Sequence, residues 1–94
     1  MIKIVAKNTI KIEEKETYIK LAKELIEKSR QEAGCISYSL FEDLNDESVL
    51  TFIEEWQDQK AIDLHNNSDH FKLLFPLLVN LSVGSFEVNL YKEV

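Results

Sequence analysis

The sequence predicts an α+β domain in the order βαββαβ, with four antiparallel strands in one sheet and the helices on one face, which is the ferredoxin-like arrangement. Two observations predict it. Hydrophobic residues recur with a period of two in some segments and of about 3.6 in others. A glycine or a short polar segment stands at several of the changes in period. The 94 residues suffice for one domain, so we expect a single domain over residues 1–94.

The predicted strands are recognised by their alternation. The first one places five apolar residues and Asn8 on one face, and three lysines on the other. The polar turn Asn45-Asp46-Glu47 joins the second and third strands into an antiparallel hairpin. Gly84 is expected to break the chain before the last strand. The predicted strands span residues 2–12, 35–44, 48–56 and 85–91.

The predicted helices are recognised by apolar residues at helical spacing and by their capping residues. The first helix spans residues 14–32 and is expected to stop at Gly34. Asp58 can cap a second helix over residues 59–66, and Ser68 can cap a third that begins at Asp69. Pro76 is expected to end or kink that third helix, because proline lacks the amide hydrogen that helix interiors require.

The charge pattern excludes several classes of partner. The net charge is −6, and residues 42–58 contain seven acidic residues and no lysine or arginine. A protein without a basic surface is a poor ligand for nucleic acid or anionic membranes, so we expect neither partner. The start of the chain reads as a strand and not as a leader, and Cys35 has no partner for a disulfide. We therefore expect a cytoplasmic protein.

The second face of the predicted sheet is unusually apolar for a surface that meets water. Two helices can cover only one face of the sheet, yet both rows of the hairpin carry large apolar side chains. Such a face indicates a partner surface or an enclosed pocket. We expect a homodimer that forms through the open face of the sheet.

Three stretches carry a resemblance to a known family: Glu32-Ala33-Gly34-Cys35-Ile36-Ser37-Tyr38, Phe52-Ile53-Glu54-Glu55-Trp56 and His65-Asn66-Asn67-Ser68-Asp69-His70-Phe71. The chain resembles the antibiotic biosynthesis monooxygenase superfamily, which includes quinol monooxygenases. The resemblance implies a dimeric α+β barrel. It also implies oxygenation without metal, flavin or other cofactor, in which a small aromatic, quinol-like or polyketide-like substrate loses a proton and its anion reduces dioxygen.

Three residues are candidates for catalysis. Asn8 interrupts an apolar row, so its amide either donates to a substrate oxygen in a pocket or bonds within the core at a strand irregularity. Trp56 offers an aromatic wall with an indole N–H, or serves only as core. His65 is the candidate proton acceptor, because histidine has an unperturbed pKa near neutrality.

Six further residues are candidates for binding the substrate: Tyr38, Phe52, Glu54, His70, Phe71 and Phe75. Glu54 shares a row with Phe52 and Trp56, so it is either an enclosed carboxyl with a raised pKa that could act as a base, or part of the acidic surface. The roles of Glu54 and Trp56 require that this row lines the barrel and does not pack under the helices. Tyr38 is a possible second donor, and the phenylalanines at helical spacing are core or the roof of a pocket. The five-residue spacing of the histidines, with no third ligand apparent, predicts no metal site. We expect Cys35 to have only a packing role.

Other functions of related proteins remain alternatives. The segment Ala6-Lys7-Asn8 resembles haem-degrading members, but His65 replaces their pocket tryptophan, and Phe75 replaces their iron-ligating histidine. An isomerase acting on a phosphorylated signalling molecule would need cationic side chains in the pocket. The lysines of the first strand lie on the other face from Asn8, which disfavours such a substrate. A small-ligand-binding protein without catalysis also remains open.

Overall fold

The computed structural model describes residues 1–94 and contains four strands, three α-helices and a short 3-10 turn, Ile12–Glu14. In chain order they are β1 (Ile2–Ile10), α1 (Lys15–Arg30), β2 (Cys35–Glu42), β3 (Val49–Trp56), α2 (Gln59–Asn66), α3 (Asp69–Asn80) and β4 (Ser82–Lys92). All strand pairs are antiparallel, in the sheet order β2-β3-β1-β4. The predicted α+β, ferredoxin-like fold is confirmed. None of the helices combines the length and the apolar composition needed to cross a bilayer.

The core lies between one face of the sheet and the helices. Alternate residues of β1 are buried there, from Ile4 to Ile10, and so are alternate residues of β3, from Leu50 to Trp56. The helices add Tyr18, Ala22, Leu25, Ile62, Leu74 and Leu78 to the same cluster. Burying one large aliphatic or aromatic side chain contributes roughly 1.5–3 kcal/mol. The buried row of β1 is the apolar row that the alternation in the first strand predicted.

The opposite face of the sheet, here called the outer face, is half-exposed in the single chain. Its apolar side chains are Val5, Phe41, Val49, Ile53, Val83 and Tyr91. They alternate with charged residues such as Lys7, whose neighbour across the strands is Glu87. The prediction of an apolar second face therefore describes part of this surface. The homodimer stays a prediction.

The capping predictions for the two short helices are met. The side chain of Asp58 accepts a hydrogen bond from the amide of Ala61 at 2.9 Å, and Ser68 accepts one from Phe71 at 3.2 Å. Pro76, however, does not end α3, which continues to Asn80. Because Pro76 has no amide hydrogen, the carbonyl of Lys72 lacks its usual helical hydrogen bond. Both residues are exposed, so water can bind that carbonyl instead. The buried Leu74 and Leu78 then hold both halves of the helix on the core.

Gly84 lies inside β4 and does not precede it, which corrects the predicted start of the last strand. The register between β1 and β4 shifts there: Lys7 pairs with Glu87, while Thr9 pairs with Val83. The extra residues of β4 form a bulge opposite Asn8. Gly84 adopts a φ of 77° at this bulge, a conformation that residues with a Cβ rarely tolerate.

Candidate functional site

A small cavity lies between the inner face of the sheet and helix α2. Its volume is about 190 Å³. The lining residues are Ile4, Ala6, Glu54, Gln59, Ile62, His65, Asn66, Phe71, Val88 and Leu90. Val88 and Leu90 are about half exposed although they share the inner face, because the helices do not extend over this part of β4. The cavity is therefore mostly apolar, open at β4, and contains two buried titratable groups, Glu54 and His65.

His65 is held rigidly in the last turn of α2. Its side chain is 2% exposed, and its ring centroid lies 4.5 Å from that of Trp56 and 4.8 Å from that of Phe71. Nδ1 lies 2.7 Å from Oε2 of Glu32. Because a carboxylate accepts hydrogen bonds, Nδ1 carries the proton and Nε2 keeps its lone pair.

The second nitrogen of His65 is left without a partner. Nε2 is buried and makes no hydrogen bond, which is rare for a polar atom in a protein interior. Burial lowers the pKa of His65, although the hydrogen bond and charge of Glu32 act in the opposite direction. The lowered pKa favours the neutral imidazole, which carries a buried nitrogen without a partner on a residue that lines the cavity.

Glu32 is the functional residue that the sequence analysis missed. Its Oε2 accepts from His65 Nδ1 and also lies 2.9 Å from Nε2 of His70, so one carboxylate oxygen bridges both histidines. Gly34 allows the segment that carries Glu32 to lie close to α2, since a Cβ at position 34 would lie 2.3 Å from the Cβ of Ala61. Glu32 stands 33 residues before His65 and outside any regular element, so no periodicity marks it.

The row that holds Glu54 and Trp56 packs under the helices, so the barrel-lining position expected for both is wrong. Glu54 is enclosed instead by the cavity next to α2. Its side chain lies on the inner face and is 6% exposed. The indole N–H of Trp56 donates a hydrogen bond to Oε1 at 2.9 Å. Burial raises the pKa of Glu54 to about 7, with the bond from Trp56 opposing the shift. Both protonation states are therefore accessible near neutral pH, which suits a general acid.

Asn8 lies in the core at the β4 bulge and does not line the cavity. The hydroxyl of Tyr18 donates to its Oδ1 at 2.7 Å, and its Nδ2 donates to Oγ of Ser82. Ser82 in turn donates to the carbonyl of Leu78 at 2.8 Å. This is the arrangement expected of a core amide at a strand irregularity, and it leaves no amide hydrogen bond directed at the cavity.

The other predicted residues surround the cavity to different degrees. Phe71 lines it, and Phe75 stacks on Phe71 at 4.8 Å behind it. Trp56 supports both Glu54 and His65 without lining the space itself. Tyr38 and Phe52 are buried in the core, where the Tyr38 ring makes edge contacts with Phe52 at 5.8 Å and with Trp56 at 6.1 Å. His70 does not line the cavity; it contacts Glu32 and is 17% exposed.

A larger depression of about 910 Å³ lies between α1 and the edge strand β2. It is open, and four of its ten lining residues are charged: Lys23, Glu27, Arg30 and Glu42. It holds neither histidine nor Glu54. Cys35 lies elsewhere, and burial raises the pKa of its thiol to about 11, so it is protonated and unreactive at neutral pH. The smaller cavity is therefore the candidate active site.

Comparison with known proteins agrees with this architecture. Residues 1–75 match the sequence model of the family described as antibiotic biosynthesis monooxygenase. The chain is 35% identical over 72 residues to the Bacillus subtilis protein named "Putative monooxygenase YcnE", covering 77% of this chain and 76% of that protein.

Two more relatives extend the comparison. A Synechocystis protein, the "Uncharacterized protein sll1783", is 36% identical over 83 residues, which are 88% of this chain; the chain spans about half, 56%, of that protein's length. The crystal structure of a conserved protein from Methanosarcina mazei superimposes with a TM-score of 0.97 at 41% identity, covering 99% of this chain and 92% of that one. The match over residues 1–75 and the identity to YcnE together show that the chain belongs to the antibiotic biosynthesis monooxygenase family.

Proposed function

We propose that this protein is a cofactor-independent monooxygenase that oxidises a small, uncharged aromatic substrate with dioxygen. One observation carries the proposal: His65, which lines an apolar cavity, has an unpartnered Nε2 while its other ring nitrogen is held by Glu32. Membership of a family described by monooxygenase activity supports the same conclusion.

The arrangement of base and acid fits the chemistry of a quinol-like or anthrone-like substrate. His65 Nε2 accepts a proton from the substrate, and Glu32 stabilises the imidazolium that forms. The substrate anion gives its electrons to dioxygen, and a carbon–oxygen bond forms to give a peroxide. Neutral Glu54 donates a proton to the peroxide oxygen. Loss of a second proton from the same carbon breaks the O–O bond, leaves a carbonyl and releases the other oxygen atom as water.

The cavity lining restricts the substrate. None of the ten lining residues is lysine or arginine, so a phosphorylated or otherwise anionic substrate finds no cation there. The volume of about 190 Å³ is below the 300–1,000 Å³ usual for ligand pockets. This favours a compact aromatic nucleus inside, with any further part of the molecule lying against Val88 and Leu90 at the mouth.

The outer face of the sheet supports a homodimer as part of the same proposal. Val83 and Tyr91 on β4 and Phe41 on β2 are each more than half exposed in the single chain. Pairing two such faces would cover them and supply a second core to a small domain. Sedimentation at micromolar concentration tests this, because a chain that stays monomeric contradicts it.

The direct test is oxygen uptake by chelator-treated protein with a panel of reduced naphthoquinones and anthrones. We expect saturable uptake above the autoxidation rate, and a loss of at least about a hundredfold in His65→Gln, as removal of a general base typically causes. Glu24→Gln on the exposed side of α1 is the matched control. Uptake equal to autoxidation for every compound, or unchanged in His65→Gln, contradicts the proposal.

A second candidate, an isomerase, uses the same two groups. A neutral histidine base and a neutral carboxylic acid in one apolar cavity can move a proton between two substrate atoms without dioxygen. Solvent deuterium would then enter the substrate under anaerobic conditions as product forms. Product that appears only when dioxygen is consumed favours the monooxygenase.

A further inference from the structure

A cluster of three metal-ligating side chains lies on the solvent side of the cavity wall. It consists of Glu32, His65 and His70, and is called here the Glu-His-His cluster. Oε2 of Glu32, Nδ1 of His65 and Nε2 of His70 all lie within 4.8 Å of one another. The cluster adjoins the cavity through the ring of His65, but the atoms that form it are different from the Nε2 assigned to the base.

The composition of the cluster selects a class of cation. Two imidazole nitrogens and one carboxylate oxygen suit first-row divalent ions such as Zn²⁺ and Co²⁺, whereas Mg²⁺ and Ca²⁺ prefer oxygen ligands alone. Three protein ligands leave at least one position for water. The chain's net charge of −6 also favours a cation over an anion.

Two of the three distances in the cluster are close to those a metal requires. Bonds of about 2.0–2.1 Å in a tetrahedral site place ligand atoms about 3.3 Å apart. The two contacts of Glu32, at 2.7 and 2.9 Å, differ from that by about half an ångström. The two histidine nitrogens lie within 4.8 Å of each other, so an ion would draw them closer together. Glu32 and His70, 18% and 17% exposed, are the side chains that would rotate to do so.

The cluster is also held in place by its surroundings. Trp56 and Phe71 pack on the ring of His65. Ser68 fixes the link between the histidines, since its hydroxyl donates to the carbonyl of His65 at 2.6 Å and also caps α3, in which His70 is the second residue. The ring of His65 and the backbone that carries His70 are thus fixed before any ion binds, which reduces the entropy lost on binding.

We propose that the Glu-His-His cluster binds one divalent first-row cation, of the Zn²⁺ or Co²⁺ type, in each chain. Coordination at Nδ1 moves the single proton of the neutral His65 imidazole to Nε2, so no proton is lost from the ring. Nε2 then becomes a donor and cannot accept a proton from a substrate. The ion therefore prevents His65 from acting as the base. This inhibition rests on the function proposed above, whereas the binding of the ion does not.

The binding test uses the full chain, stripped of metal, with Zn²⁺ in calorimetry and Co²⁺ in visible absorption. We expect one equivalent per chain and absorption bands of low-symmetry Co²⁺. Glu32→Gln and His70→Gln should each weaken Zn²⁺ binding at least tenfold. Loss of a residue that only hydrogen-bonds to a metal ligand already costs about tenfold in affinity, and loss of a ligand itself should cost no less. Glu24→Gln, which changes an exposed glutamate of α1 paired with Lys28, should bind as the unaltered protein does.

Circular dichroism establishes that each variant is folded before it is titrated. Absence of stoichiometric binding in the unaltered protein, or equal binding in Glu32→Gln and His70→Gln, overturns the site. Oxygen uptake with and without Zn²⁺ tests the inhibition separately. Binding without any oxygenase activity contradicts the proposed function and leaves the site standing, whereas activity that Zn²⁺ binding does not reduce overturns the inhibition alone.

Discussion

Oε2 of Glu32 lies 2.7 Å from Nδ1 of His65, and this contact determines which nitrogen of a buried imidazole is free. The carboxylate fixes the proton on Nδ1, so Nε2 is left as an acceptor without a partner. An orphaned buried acceptor is costly to stability, and its presence in a cavity is typical of a site where a ligand completes the hydrogen bonding. The pair is therefore the basis of the first prediction.

Replacing Glu32 by glutamine should lower kcat by at least about tenfold while changing KM little, because the carboxylate acts on the imidazolium in the transition state and not on bound substrate. Steady-state oxygen uptake in the presence of a chelator measures both constants. Glu24→Gln controls for the loss of one negative charge from the chain. A rise in KM at constant kcat would show that Glu32 contributes to substrate binding instead.

Glu54 should make the folded protein less stable as pH rises. The ordinary pKa of a glutamate side chain is 4.5, and burial raises that of Glu54 to about 7, so the folded state holds this proton more tightly than the unfolded state. The resulting stabilisation is complete below pH 4.5 and is lost as pH rises through 7. The difference in unfolding free energy between pH 5 and pH 8 attributable to this group is about 2–3 kcal/mol.

Urea unfolding of the unaltered protein and of Glu54→Gln at both pH values measures this effect. Glutamine keeps the size of the side chain and can still accept from the indole N–H of Trp56, but it does not titrate. We expect the unfolding free energy of Glu54→Gln to fall between pH 5 and pH 8 by about 2–3 kcal/mol less than that of the unaltered protein. Equal pH dependence in the two proteins would show that the carboxyl has an ordinary pKa.

Asn8→Leu should destabilise the protein by about 1–3 kcal/mol and leave kcat unchanged, because it removes the partners of Tyr18 and Ser82 in the core. Adding Tyr18→Phe should cost less in the Asn8→Leu background than in the unaltered protein, since the hydroxyl has already lost its acceptor. Urea unfolding and oxygen uptake measure the two effects. A stable Asn8→Leu protein with impaired turnover would instead assign the amide to catalysis.

Gly34→Ala should destabilise the protein by about 1–3 kcal/mol, as overpacking of a close contact does, because the added Cβ must displace Ala61 and with it helix α2. The displacement also separates His65 from Glu32, so kcat should fall. Ala61→Gly in the same chain restores the space and should recover part of both losses. If Gly34→Ala is as stable as the unaltered protein, α2 does not depend on this approach.

The fold followed from local patterns because each pattern reports a property of one segment. Alternation in β1, helical spacing in α1 and the capping residues Asp58 and Ser68 all act over a few residues, and the structure agrees with each. Pro76 does not end α3, because the cost of proline depends on whether the freed carbonyl faces solvent. Gly84 was misjudged because its role is set by the register against β1, which lies far away in sequence.

The sequence by itself determined the order of the elements and the apolar row of β1, and it named His65 and Glu54 among nine candidate residues. Only the tertiary structure decided that the row containing Glu54 lies under the helices, and that Asn8 is bonded to Tyr18 and Ser82. It alone brought Glu32 between the two histidines. The reason is physical: a residue's type and spacing fix what it can donate, accept or bury, whereas its partners and its pKa depend on the packing of segments distant in sequence.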